Sequence, residues 1–160
     1  MKNNMMKKLL TLVLAGAMTL SLAACGAKDT QPIEQPDNST EEAKTYKVAV
    51  IKQLDHASLD EIANAVTAEL DKIAADNGVT IEYEVTSGQG DQTILKQLSD
   101  QAIADGVNAI IPIATTAAQI AALSAEETKT PVVYAAISDP ETAKLTGIDY
   151  VTGTSDALNT

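Results

Sequence analysis

The sequence predicts an α/β domain built on a doubly wound parallel sheet, and three observations predict it. Short, continuous apolar runs rich in β-branched residues recur at 48–51, 109–113 and 132–136, the pattern of strands buried on both faces. A further run, from Val79 to Val85, alternates apolar and polar residues, as a half-covered edge strand does. Between the runs, apolar residues return at helical spacing, and such alternation of strand and helix gives parallel strands with helices on both faces.

The first strand is Val48-Ala49-Val50-Ile51. Ser58 followed by Glu61 has capping-box spacing, and Leu59, Ile62, Ala63, Val66, Leu70 and Ile73 mark one helix face until Asn77-Gly78 stops it. The second strand sets Val79, Ile81, Tyr83 and Val85 against Thr80, Glu82, Glu84 and Thr86. Asp91 is placed to cap a second helix with the face Ile94, Leu95, Leu98, Ala102 and Ile103, closed by Asp105-Gly106. After the third strand, Thr116 and Gln119 repeat the capping-box spacing ahead of Ile120 and Leu123. Pro131 opens the fourth strand, and Asp139-Pro140 reads as the cap and first position of another helix.

The flavodoxin-like order 2-1-3-4 puts the second strand at one edge and the fourth at the other, in agreement with the alternation of the second. Ligands of such sheets sit beyond the carboxyl ends of the strands, where the order reverses between the first and third. Residues 52–58, 86–91, 114–117 and 137–140 would line that crevice. Its candidate ligand-binding residues are Asp55 and His56 in the first loop, Gln89 and Asp91 in the second, Thr115 and Thr116 in the third, and Ser138 and Asp139 in the fourth. Gln89 lies between two glycines directly before a helix, so it is offered together with backbone N–H groups. Thr115 and Thr116 bring two hydroxyls to a helix start, where the dipole favours an anion.

Several functions are excluded on chemistry. Gly88-Gln89-Gly90 lacks the third glycine of G-x-G-x-x-G, since Thr93 stands there, and it follows the second strand instead of the first. Asp55, His56 and Ser58 are neighbours in sequence, which is not the geometry that nucleophilic hydrolysis needs, so no catalytic residue is assigned and no enzyme is expected. One His and one Cys cannot furnish a transition-metal shell, and neither metal nor cofactor is expected. The chain has no arginine and a formal charge of −11, which argues against nucleic acid.

The amino terminus carries Lys2, Lys7 and Lys8, an apolar run from Leu9 to Ala24, and Leu22-Ala23-Ala24-Cys25. This is the form of a bacterial secretory signal over 1–24 that ends in a lipobox, with Cys25 as the residue to be acylated. Without the leader's three lysines the −11 of the whole chain becomes −14. Residues 25–45 are polar, acidic and proline-containing, with Ile33 as the one large apolar residue, and they read as a flexible tether. Residues 46–160 then suffice for one modest domain.

Several segments, in order, resemble a known family. LDHASLDE at 54–61 is similar to a Glu/Asp-His-Pro-Ala-Leu-Asp segment, with Ala57 and Ser58 displaced relative to Pro-Ala. SGQGDQT at 87–93 is similar to Asn-Ala-Gln-Gly-Asp, and IATTAAQIAA at 113–122 to a Thr-Pro-Ala-Ala-Gln turn with Thr116 for Pro. PVVYAAISDP at 131–140 resembles Pro-Val-Val-Phe-Ala-Ala-Val-Thr-Asp-Pro, and VTGTSDAL at 151–158 matches Val-Thr-Gly-Thr-Ser-Asp. The family is the tryptophan/tyrosine-type ABC transporter substrate-binding lipoproteins, of the type I periplasmic binding protein fold. The resemblance spans 47–160 and implies the first lobe of a two-lobed protein, ending where the chain should cross to the second lobe.

What the resemblance implies is an extracytoplasmic solute-binding lipoprotein of an ABC importer. It would capture a small solute of the amino-acid kind and hand it to permease subunits, while its lipidated cysteine holds it on the bacterial cell membrane. With four tyrosines and neither Phe nor Trp, this half offers little for stacking an aromatic solute. The rival expectation is a surface lipoprotein that acts as an interaction module, or a nonfunctional fragment that binds no solute.

Overall fold

The computed structural model describes residues 44–155. The elements among them are β1 (Thr45–Lys52), α1 (Ala57–Asn77), β2 (Thr80–Ser87), α2 (Gln92–Ala104), β3 (Ala109–Ile113), α3 (Thr115–Ser124), β4 (Val132–Ile137) and β5 (Val151–Ser155). All neighbouring strands pair in parallel, in the order β2-β1-β3-β4-β5. The expected 2-1-3-4 arrangement is present and is extended by one strand. Cys25, the expected signal 1–24 and most of the tether lie outside the described residues.

The apolar run of β1 is the centre of the sheet, and Val50 and Ile51 are 0% and 1% exposed. Its side chains alternate between two helical layers, as the period of a strand requires. Val48 and Val50 meet Leu59, Ile62, Ala63, Val66 and Leu70 of α1. Ala49 and Ile51 pack on the other face with Leu95 and Ala102 of α2 and Ala117 and Ala121 of α3. Each fully buried Ile or Leu in these layers contributes about 1.5–3 kcal/mol. β2 runs along the edge with Glu82 and Glu84 exposed and Ile81 and Tyr83 half-buried, as its alternation predicts. The Tyr83 hydroxyl donates to Asp71 on α1 at 3.0 Å, which ties that edge to the helix above it.

Helix boundaries follow local chemistry in two cases and depart from it in three. Asp91 caps α2, accepting from Thr93 N at 2.7 Å and Ile94 N at 3.2 Å. Gly78 ends α1 in the left-handed region at φ 63°, a conformation that costs glycine little. The start of α1 differs from the capping box expected at Ser58: His56 is the N-cap, and its Nδ1 accepts from Ser58 N at 3.3 Å. Ser58 is then already inside the helix, where its hydroxyl cannot cap. The Thr116–Gln119 box does not form either. The cap of α3 is Ala114, with no side-chain cap hydrogen bond, and Gln119 donates instead to Ala143 O at 3.0 Å. Finally, Asp139-Pro140 begins a single turn and not a helix, because the chain folds back at once: Leu145 N donates to Pro140 O at 2.9 Å, and Ala143 and Leu145 bury against α3 and Tyr134.

The fourth strand, expected at an edge, is covered by β5. Tyr134 of β4 lies opposite Gly153 of β5, and a Cβ on Gly153 would stand 2.2 Å from the Tyr134 carbonyl oxygen. Only a residue without a side chain lets the two backbones approach this closely. The pairing is irregular between Tyr134 and Ile137, where Ala136 takes φ 58°, the local distortion a bulge produces.

Candidate functional site

All five strands being parallel, their carboxyl ends share one edge of the sheet, and the loops that leave it hold every crevice residue expected from the sequence. β1 delivers Asp55 and His56, β2 delivers Gln89 and Asp91, β3 delivers Thr115 and Thr116, and β4 delivers Ser138 and Asp139. β5 adds Ser155, whose hydroxyl donates to Ser138 O at 3.3 Å. Gln89, Thr115, Ser138 and Asp139 are exposed, and Thr116 is half-buried.

Three of the five non-glycine residues at positive φ among the described residues lie along this edge: Gln89 at φ 53° and Ala114 at φ 79° just beyond the ends of β2 and β3, and Ala136 at φ 58° next to the last residue of β4. Ala114 has ψ 161° as well, a region used almost exclusively by glycine and costing about 1–3 kcal/mol for other residues. Non-glycine residues held in such conformations gather at ligand-binding sites, where surrounding structure over-determines them. Gln89 is supported by Ser87, whose hydroxyl accepts its N–H at 3.2 Å.

Four of the candidates turn out to be organisers of the loops. His56 is occupied with the α1 cap, and Asp55 with Lys52 at 3.0 Å and the Ser87 hydroxyl, so Asp55, His56 and Ser58 form no hydrolytic relay. Asp139 accepts from Thr142 Oγ1 at 2.6 Å and from Thr142 N at 2.9 Å; chiefly the hydroxyl, then the backbone N–H, hold its carboxyl below the usual carboxylate range. The amides of Ile94 and Thr93 do the same for Asp91. Each keeps one turn of the edge in shape while remaining open to solvent.

Lys52 and Gln53 were not singled out by sequence reasoning. Lys52 is 13% exposed in its side chain and salt-bridges both Asp55 and Asp60. Its ammonium is raised above the ordinary lysine value by the Asp60 carboxylate first and Asp55 next, against the opposing effect of burial. The signal was present: a lone cation closing an apolar strand, with acids three and eight residues on. Gln53 carries no local signal, since its side-chain partner is Thr116, 63 residues away.

The edge is an open shelf. A hollow of about 530 Å³ lies between β2 and α2, lined by Glu82, Glu84, Gln101 and Asp105, and one of about 800 Å³ lies by the amino ends of β4 and β5, lined by Pro131, Val133, Gly147 and Thr152. Thr86 touches the first, and neither includes any of the eight candidate ligand-binding residues. Among the described residues no group of three or more His, Cys, Asp or Glu side chains is placed to hold a metal ion.

This architecture is that of a solute-binding lobe, and the comparisons agree. The model of the family "ABC transporter substrate binding protein" matches residues 47–160, and the chain belongs to that family, one of binding proteins and not of enzymes. A solved structure of an ABC domain in complex with L-Trp from Streptococcus pneumoniae is 32% identical, with a TM-score of 0.61 over 71% of this chain and 39% of that one. A conserved domain protein from Vibrio cholerae is 30% identical, with a TM-score of 0.61 over 71% of this chain and 40% of that one. The ligand-free, open structure of a substrate-binding protein with adhesive properties from Clostridium difficile shares the fold at 24% identity and a TM-score of 0.63, over 71% of this chain and 39% of that one. The chain therefore spans about two fifths of the length of the structures it matches. No curated protein matches it.

Proposed function

We propose that this lobe is one wall of the solute cleft of an ABC importer's binding protein, and that the solute is a small molecule of the amino-acid kind. The observation that carries the reading is the edge itself. Gln89, Thr115, Thr116, Ser138 and Asp139 follow the carboxyl ends of β2, β3 and β4 on one edge of the sheet, and each of those ends has a non-glycine residue at positive φ. The groups on offer are hydroxyls, an amide, a carboxylate and the first-turn N–H donors of α3 other than that of Thr116, which Gln53 takes, a set that holds polar ligand groups by hydrogen bonds and suits a ligand carboxylate at the α3 amino end. A binding protein related to this chain is solved with L-Trp, which makes amino acids the first solutes to try.

A second lobe closes over the first and delivers the solute to permease subunits. The protein works on the extracytoplasmic face of the membrane, held there through acylated Cys25. Closure matters energetically because sites of this kind bury roughly 70–90% of a small ligand's surface, and one lobe reaches one side only. Calorimetric titration of the twenty standard amino acids into residues 26–160 alone should give no measurable heat of binding. The same lobe joined to a second lobe should bind at least one of them, and Thr115→Ala in that protein should weaken the binding about tenfold. Micromolar affinity in the isolated lobe would overturn the need for a second lobe, and wild-type affinity in the Thr115→Ala protein would remove Thr115 from the site.

A further inference from the structure

We propose that Gln53 is a positioning residue that fixes three of the loops of the solute edge, those after β1, β2 and β3, relative to one another; the inference rests on reading that edge as the solute wall. Gln53 directly follows β1, between β2 and β3, and it bonds in three directions. Its N–H donates to Ile113 O, the last residue of β3, at 3.1 Å, and its carbonyl accepts from Gly90 N in the β2–α2 turn at 2.9 Å. Its side-chain Oε1 accepts from Thr116 N in the first turn of α3 at 3.0 Å. Because the partner is an N–H, the amide oxygen must face the helix, and this fixes the orientation of the carboxamide.

Strand geometry explains why this residue holds the post. Lys52 points toward the α1 layer, where it meets Asp55 and Asp60. The next side chain emerges on the opposite face, the layer of α2 and α3. Consecutive residues thus attach one helical layer each to the end of β1, at the point where the sheet order reverses. The β2–α2 turn passes directly over Gln53: a Cβ on Gly88 would lie 3.2 Å from the Gln53 carbonyl oxygen and 2.3 Å from the Leu95 side chain. The α3 end depends on the carboxamide, because Ala114 offers no cap and the first turn holds no acidic residue. Gln53 therefore does for α3 what a local Ser, Thr or Asp does for an ordinary helix, and it does so from the loop that also anchors Gly90. Thr115 and Gln89 are held in place through it.

Gln53→Met keeps the length of the side chain and removes the acceptor, whereas Gln53→Glu keeps an acceptor for the Thr116 amide. Amide exchange in the full-length protein should be about tenfold faster at Thr116 in Gln53→Met than in wild type, and protected again in Gln53→Glu. The twenty standard amino acids, titrated one at a time, should show about a tenfold loss of affinity in Gln53→Met for whichever binds wild type, while its melting temperature stays within a few degrees. Unchanged exchange at Thr116 overturns the tie itself. Faster exchange with unchanged affinity overturns its part in binding. A wild-type protein that binds none of the twenty overturns the proposed function, and with it the link from Gln53 to affinity, while the exchange data still decide whether the tie exists.

Discussion

At residue scale the carboxyl edge of the sheet is maintained against local preference. Ala114 occupies a conformation that glycine would adopt freely, at φ 79° and ψ 161°. Ala114→Gly should raise stability by about 1 kcal/mol, the relief of strain outweighing the added freedom of the unfolded chain. Freed from its methyl group, the β3–α3 junction should also wander, and solute affinity should fall. Melting temperature and affinity moving together would contradict this account. Ionisation acts at the same scale. The carboxyls of Asp139, Asp91 and Asp55 are all held below the ordinary carboxylate value, by Thr142, by the Ile94 and Thr93 amides, and by Lys52 and Ser87. A depressed folded-state value means that the stabilisation is present above the unfolded-state value and is lost as pH falls through the folded one. Melting temperature should be flat near neutrality and drop below about pH 4, and the drop should be shallower in Asp91→Asn.

At the scale of elements, what was legible in the sequence is what is decided locally. β1, β2 and α2 follow from runs, alternation and an Asp cap, each readable within a dozen residues. α3 was legible as a helix but its start was not, since its capping partner is 63 residues distant and no window of sequence contains both. The segment after β4 has the composition of a helix start, and tertiary burial of Ala143 and Leu145 overrides it. β5 escaped notice because Val-Thr-Gly-Thr-Ser has one large apolar residue; an edge strand covered on one face needs no more. Its glycine is the element's specification. Gly153→Val should force the strand away from Tyr134 and leave β4 as an open edge, which invites pairing between chains. Sedimentation or light scattering should show self-association in this variant and none in wild type at the same concentration.

At the scale of the molecule, the family and the parallel sheet were legible, and so were the loops that form the edge; the Lys52 and Gln53 ties between those loops were not, because they are made across elements. The amino-terminal reading belongs here too, as it determines where the protein works. If Cys25 is acylated, Cys25→Ser should release the protein from the membrane fraction, since a lipid chain contributes about 0.8 kcal/mol per buried methylene and no helix among the described residues is long and apolar enough to cross a membrane. Unchanged retention, with no lipid label on the wild type, would contradict the reading.

The sheet order has one more consequence, for the way the chain acquires its shape. From β1 onward the order on one side runs β1-β3-β4-β5, so each later strand docks on the flank completed by the one before it, and growth on that side is vectorial. A chain emerging amino end first can assemble the sheet in the sequence of its arrival. On this side β4 is exposed while it is in place and residues 151–155 have not yet come. The pairing of Val132 N with Tyr150 O at 2.8 Å ends that interval, and the small, polar strand that follows acts less as core than as a seal on a growing edge.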